Sequence, residues 1–455
     1  MTRWRRRPGA GELQVEEEAR RRARAGDVTG LRALLRGADL RLVVEELERM
    51  TGPQRAGAFR LLPRDTALRA FVALDPALQV ELIDHLRAAE TRRLVADLDP
   101  DDRARALDRL PPPLAEELLR DLPERERRMT LSVLDQPEES VGRWASPAFV
   151  SLPVGMTAGE ALERVRTAEE GAETVYVLPV VDVGSRVVGV VSLRRLLSSA
   201  GETPLETLMR EPITVRADED QEVGARLVRD HGAVAVPVVD EHDRLLGLFT
   251  VDDAMRVLEL EEDEDSARSA GMERLDRPYL TTSVVTLARS RVLWLLVLIV
   301  AATLTVNVLD HFEATLEQVV ALALFIPLLI GTGGNVGAQS ASTMIRALAV
   351  DDVRFADLPA VLRKEIGTGL LLGAALALIA YVPARLFTDG SVAVVISVSL
   401  VVVCALAASA GGLIPLVARR LGVDPAVVSA PFITTFVDAT GLVVYFLVAG
   451  LVLGL

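Results

Sequence analysis

Three groups of residues in this 455-residue chain carry chemistry that packing alone does not require. The first is Asp438, the single charge in the apolar stretch 425–455. A carboxylate deep in a membrane span is costly, and such residues face a cavity or an ion path. Thr434 and Ala430 lie one and two helical turns back, beside Pro431, giving a small, polar face that suits a pore wall. The competing reading of Asp438 is a hydrogen bond between helices. The second group is GTGGNVGAQSAS, residues 331–342. Glycines and small polar groups at membrane depth are tolerated where helices pack closely or line a wet cavity, and both readings stand for this segment. The third is ELEEDED, residues 259–265, acidic at every position but Leu260.

A run of acids is ordinarily a solvated, self-repelling segment. Here more acid accompanies it: Asp97, Asp99, Asp101 and Asp102; Asp218, Glu219 and Asp220; Asp252 and Asp253. If these faces approach one another they repel unless cations intervene. Hard divalent cations with oxygen ligands are the natural bridge. No Asp-x-Asp-x-Asp-Gly loop of the EF-hand type is present. One cysteine, Cys404, excludes a disulfide framework, and four scattered histidines argue against zinc. No Walker A loop, HExxH or nucleophile elbow points to an enzyme. A formal net charge of −14 argues against a nucleic-acid partner.

The elements that must position these groups divide between two solvents. Hydrophobic residues make up 50% of the chain and mean hydropathy is +0.31, yet 25% of residues are charged. Uncharged runs at 292–309, 319–345, 366–384 and 390–418, with the last segment around Asp438, predict five transmembrane helices. With a cytoplasmic amino terminus, Arg289, Arg291, Arg346, Arg354, Arg363, Lys364, Arg419 and Arg420 fall inside and Arg385 alone outside. That bias places the soluble half in the cytoplasm and the carboxyl terminus outside. Residues 1–12 are Arg-rich with no apolar stretch after them, so no signal peptide is expected.

The expected domains are a tail (1–25), a helical superhelix (26–138), two α/β copies (139–200 and 201–258), an acidic connector with its linker (259–285) and a membrane domain (286–455). Pro63, Pro76, Pro100, Pro112 and Pro123 punctuate the superhelix as starts of short helices. In the second pair of domains, 175–192 (VYVLPVVDVGSRVVGVVS) aligns with 233–250 (AVAVPVVDEHDRLLGLFT). Each copy predicts strand, turn, strand, helix, with Asp-x-x-x-Arg across the turn.

This repeat resembles a tandem pair of CBS domains. In that family G-x-x-[ST]-x-x-D can hold the ribose and phosphates of an adenine nucleotide such as ATP. Gly247, Thr250 and Asp253 match it, whereas the first copy has Arg195 in place of the acid. Over nearly its whole length the chain resembles the MgtE family of magnesium channels. PLLIGTGGNVGAQSAS with IRALA (327–349) and RRLGVDPAVVSAPFITTFVDATG (419–441) carry the likeness.

The resemblance implies an all-α superhelical N domain, an α/β CBS pair and an all-α five-helix membrane domain. It implies a homodimer in the inner (plasma) membrane, with Asp438, Asn335 and Thr434 at a pore for hydrated Mg²⁺. It also implies a plug helix at about 251–271, closed when cytosolic Mg²⁺ bridges acids among Asp97, Asp101, Asp253, Glu259, Glu261, Glu264, Asp265 and Asp424. Ala338 and Ala430 stand where the family usually has Asn, which opens a broader reading that includes Mn²⁺, Co²⁺ and Ni²⁺. A non-conducting sensor of Mg²⁺ or nucleotide is the reading from another class.

Overall fold

The computed structural model describes residues 38–168, 171–350, 352–428 and 430–454; the expected 1–25 tail lies outside them. The chain forms two compact units. One runs to Glu261 and takes in Asp276–Thr282; the other comprises Glu262–Leu275 and everything from Ser283.

The first unit opens with short helices: α1 (Leu40–Arg49), α2 (Gly52–Phe59), α3 (Arg64–Ala73), α4 (Pro76–His85), α5 (Ala88–Asp97), α6 (Pro100–Asp108), α7 (Pro112–Asp121) and α8 (Glu124–Leu134). Pro76, Pro100 and Pro112 begin α4, α6 and α7, and Pro63 and Pro123 are the N-caps of α3 and α8. The ring fixes φ for a first turn and sacrifices a donor that would be unpaired there anyway. Leu47, Phe71, Leu82, Val95, Leu107 and Leu118 line one continuous core. Polar residues stitch successive helices together. Arg55, Gln79 and Arg103 each reach eight residues back to a carbonyl near the end of an earlier helix: Leu47 O at 2.8 Å, Phe71 O at 2.8 Å and Val95 O at 2.8 Å. Each adds a side-chain donor to a carbonyl in the last turn of a helix, where intrahelical partners run out.

Two near-identical three-stranded sheets follow. The first contains β1 (Leu152–Pro153), β2 (Val177–Val181) and β3 (Val187–Ser192), with α9 (Ala158–Thr167), α10 (Leu193–Leu197) and α11 (Leu205–Leu208). The second contains β4 (Val215–Arg216), β5 (Ala235–Val239) and β6 (Leu245–Thr250), with α12 (Gln221–His231). Register repeats as well: Val177 faces Ser192 as Ala235 faces Thr250, and both hairpins carry an irregularity after their fourth pair. The Asp-x-x-x-Arg turns behave as their sequence predicts. Asp182 Oδ1 accepts from the N–H of Gly184 and Arg186 at 2.8 and 2.9 Å, and Asp240 Oδ1 from His242 and Arg244 at the same distances. The two turns also pair with each other, Val187 N–H to Asp243 O at 3.1 Å and Leu245 N–H to Ser185 O at 3.0 Å. From β6 the chain passes directly into α13 (Val251–Ser269), whose Ala254 and Val257 join the core of the second copy.

The second unit holds five helices long and apolar enough to cross a membrane: α14 (Val284–His311), α16 (Ile326–Ala349), α17 (Leu358–Phe387), α18 (Gly390–Arg420) and α19 (Ala430–Leu453). A short α15 (Glu313–Gln318) joins the first two. The most enclosed is α18, and glycines set how closely its neighbours approach. A Cβ built at Gly369 or Gly373 of α17 would lie 2.5 Å from Ala405 Cα or 2.6 Å from Val401 Cα. Gly411 of α18 sits against the Gly337 carbonyl of α16. Small residues are what let membrane helices meet backbone to backbone. The glycine-rich stretch itself lies within one unbroken helix, α16.

Replacing Gly373 with Val should push α17 off α18 and cost about 1–3 kcal/mol, read as a lower unfolding temperature in detergent. Gly367→Ala, where a Cβ meets open space, should leave that temperature unchanged or slightly higher.

Candidate functional site

In the membrane unit, Thr434 and Asp438 lie one turn apart on α19 and both face Gly334 of α16. A Cβ at Gly334 would stand 3.4 Å from Thr434 Cγ2 and 3.7 Å from Asp438 Oδ1. Gly333 and Gly337 point elsewhere, into Val403, Val437 and Ile433. Two glycines of the segment pack helices closely, and at Gly334 there is a methyl-sized space beside the carboxylate. Thr434 and Thr435 donate to the Pro431 carbonyl at 2.8 and 2.9 Å. Among the described residues no side chain or N–H donates to the Asp438 carboxylate, so the alternative of a hydrogen bond between helices finds no partner within this chain. Asp438 is half-buried, and Asn335 and Gln339 lie one turn apart on an exposed face of α16. Asn335 thus neighbours the Asp438 site through Gly334 and presents its amide outward.

Sequence reasoning missed Glu365. Its Oε2 accepts from Ser340 Oγ at 2.9 Å, fixing the polar end of the glycine segment to α17. The signal was available: Glu365 directly precedes the uncharged run 366–384.

The acidic connector, α13, carries its charges on several faces. Glu259, Glu262 and Asp263 are exposed, while Glu261, Glu264 and Asp265 are half-buried. Glu261 accepts from Gln221 Nε2 at 2.6 Å. Further along, Arg268 forms ion pairs with Glu264 and with Asp424, the latter at 2.6 Å. Burial works against the Arg268 charge, but Asp424 and Glu264 more than compensate and hold its pKa up. Gly271, in the left-handed region at φ 67°, then turns the chain beside Pro431. Asp424 itself caps the turn before α19, accepting from Ala426 N–H at 2.8 Å.

The densest cluster lies between the helical region and the second α/β copy. Asp101, Asp102 and Asp253 each offer a carboxylate oxygen, all within 4.8 Å of one another, and Asp101 Oδ1 is buried without a hydrogen bond. Oxygen donors of this kind suit a hard cation. The structure also supplies a cation that the sequence reading did not foresee. Arg105 Nη2 contacts Asp101 Oδ2 at 2.9 Å, Asp253 Oδ1 at 3.4 Å and Asp102. Arg256 reaches Asp102 at 3.2 Å. Burial raises the Asp101 carboxyl to about 7, with Asp253 and Asp102 adding to the rise and Arg105 opposing it. Burial raises Asp253 too. Glu173, which sequence reasoning also missed, is pushed up to about 9 by burial and then by Asp101, Asp99 and Asp253.

Asp97 does not join this cluster; it pairs with Arg64 at 2.6 Å. The proposed nucleotide residues are close together but already engaged. Thr250 Oγ1 donates to Asp253 Oδ2 at 2.8 Å and bonds Asp252 at 2.7 Å, Asp253 faces Arg105, and a Cβ at Gly247 would meet Ser146 O at 2.8 Å.

The chain matches known families over most of its length. Residues 326–448 match the MgtE family model, described as a divalent cation transporter; 39–139 match the MgtE intracellular N domain; 141–202 and 205–260 match the CBS domain. The chain is 42% identical over 319 residues to the magnesium transporter MgtE of Thermus thermophilus, covering 70% of each. It is 31% identical over 422 residues to that of Bacillus subtilis, covering 90% of this chain and 93% of the relative. Among solved structures, the ATP complex of the cytosolic domain of the Mg²⁺ channel MgtE shares 32% identity at a TM-score of 0.50. It spans 53% of this chain and 99% of that one.

The raised carboxyls set a pH dependence. Burial in the docked cluster raises the Asp101 carboxyl from the ordinary 3.8 to about 7. The docked state therefore binds more protons between those values, so docking is strongest at the acid end and weakens as pH rises through about 7. Fluorescence of Trp144, isolated by replacing Trp4 and Trp294 with Phe, should report that weakening in metal-free protein, and Asp101→Asn should flatten the profile.

Proposed function

Because the chain belongs to the MgtE family of divalent cation transporters, we propose that it conducts Mg²⁺ through a homodimeric, multi-pass channel whose ion site is the Asp438 carboxylate. One observation carries the reading: a half-buried carboxylate, unserved by any described donor of its own chain, faces a glycine gap between two apolar helices. A carboxylate in that setting needs water or a cation. Mg²⁺ keeps its inner waters reluctantly exchanged, so a pore that passes it hydrated needs charge and hydrogen-bonding groups more than direct ligands. Two copies of Asp438 about a two-fold axis would form a ring of charge that attracts a dication without trapping it. Asn335 and Thr434 are the neighbouring polar groups. The basic residues flanking the spans support an inner-membrane orientation with the amino terminus in the cytoplasm and the carboxyl terminus outside.

Gating follows from the acids. Glu259, Glu261 and Asp265 of the connector would hold cytosolic Mg²⁺ in a compact, closed state, and the ion favours that state only by its differential affinity for it. Asp97, Glu264, Asp424 and the Asp101–Asp253 cluster are left out because Arg64, Arg268 and Arg105 already neutralise them. An adenine nucleotide at the CBS pair would need a face other than Thr250 and Asp253; a cavity of about 430 Å³ lined by Arg125, Phe149, Arg164 and Thr167 beside the first copy offers one. The reading assigns no catalysis and, given the acidic charge, no nucleic-acid partner. Ala338 and Ala430 remove two amides from the expected pore wall, which favours a second reading: a channel that also passes Mn²⁺, Co²⁺ or Ni²⁺.

Flux into vesicles containing the purified protein tests the assignment. Asp438→Ala should abolish Mg²⁺ entry while the protein remains folded; undiminished entry rejects the ion site, and absence of flux in the wild type favours a non-conducting sensor. Competition by Mn²⁺ or Co²⁺ that weakens when Ala338 and Ala430 are both changed to Asn separates the two channel readings. Neutralising the acids of 259–265 should raise the Mg²⁺ needed for closure.

A further inference from the structure

We propose that Arg105 is a built-in counter-cation: it holds the helical domain against the second CBS copy in the position a divalent ion would otherwise occupy, so this docking does not require Mg²⁺. The proposal refines the gating scheme above and rests on it only for what docking does to conduction.

The geometry is that of a bridging cation. A single nitrogen, Arg105 Nη2, reaches carboxylates from both domains: Asp101 and Asp102 on α6, and Asp253 on α13. Ligand oxygens must come within about 2.0–2.6 Å of Mg²⁺ or Ca²⁺, and a donor nitrogen already standing 2.9 Å from Asp101 and 3.4 Å from Asp253 takes the space between them. A dication entering the cluster must displace the guanidinium.

The guanidinium is also well anchored. It lies 4.2 Å over the Trp144 ring, a contact that favours a cation and restricts its rotation. Trp144 Nε1 donates to Gln221 Oε1 at 2.7 Å, and Gln221 Nε2 donates to Glu261 Oε1 at 2.6 Å. A continuous chain of contacts therefore runs from the cluster to the connector helix. Arg256 adds a second positive charge on Asp102. Burial opposes the Arg105 charge, and the three aspartates around it hold it protonated. Arginine suits this role because its planar fork can serve several carboxylates and never deprotonates. In a buried cluster, losing it strands like charges, a change normally worth far more than tenfold in an equilibrium.

Hydrogen exchange of the full-length protein in detergent tests this directly, comparing chelator with millimolar Mg²⁺ and following the segment 100–108 for docking and 252–269 for the connector. In the wild type, 100–108 should remain protected in chelator. In Arg105→Ala its exchange in chelator should rise by at least about tenfold and return towards the wild-type level when Mg²⁺ is added. Arg105→Lys, which keeps the charge but loses the fork, should fall between them; protection of 40–73 in each variant reports that the helical domain is still folded. The proposal is overturned if wild-type 100–108 opens in chelator as far as Arg105→Ala does, or if Mg²⁺ fails to restore the variant. The connector is a separate readout: if 252–269 shows no response to Mg²⁺ in the wild type, the gating scheme fails, while the arginine is judged by 100–108 alone.

Discussion

A negative charge in a low-dielectric layer is the constraint around which the membrane half is organised. The Born cost of such a charge is large, and protein chains meet it by protonation, by a paired cation or by water. Asp438 has no cationic partner and no described donor in its own chain. What the fold provides instead is space: Gly334 leaves a gap opposite the carboxylate, and Thr434 supplies a hydroxyl one turn away. A site with charge, room and few fixed ligands is poorly suited to gripping a bare ion and well suited to passing a hydrated one. Ion permeation is the function we propose from that combination.

Holding such a gap open requires rigid surroundings. Close helix contacts at Gly333, Gly337, Gly369, Gly373 and Gly411 hold α16 and α17 against α18 and α19, those at Gly369, Gly373 and Gly411 backbone to backbone. Outside the membrane the same problem, too many carboxylates in one place, is solved differently. There Arg105, Arg256 and Arg268 pair with the acids directly. The distribution makes physical sense. Acids neutralised by covalently attached guanidinium groups report little about ion concentration, whereas Glu259, Glu262 and Asp263 of the connector lie exposed to solvent.

Much of this was legible from residue types. The starts of α3, α4, α6, α7 and α8 follow from proline, because its ring is suited to a first helical turn and to nothing in a helix interior. The strand pairs follow from an alignable repeat, and the five spans from uncharged length. Asp438 stood out because charge is rare in such segments. The finer features were not legible, since they depend on residues far apart in sequence. Nothing in the local pattern tells that Arg105 lies among Asp101, Asp102 and Asp253, or that Asp97 answers Arg64 instead. The glycine run was ambiguous for a related reason: whether a given glycine packs or opens a space depends on the helix phase of a neighbour, so Gly333 and Gly334 differ although they are adjacent. Thr250 and Asp253 match a nucleotide motif in sequence, and here their side chains also bond each other and Arg105.

The most direct test of the central claim is the solvent accessibility of position 438. With Cys404 replaced by Ala and Asp438 by Cys, a charged, membrane-impermeant thiol reagent should modify position 438 from the aqueous phase, and millimolar Mg²⁺ should slow the reaction by occupying the neighbouring path. A cysteine there that resists the charged reagent yet reacts with a lipid-soluble one would place the side chain against hydrocarbon, and the account of ion conduction would be contradicted.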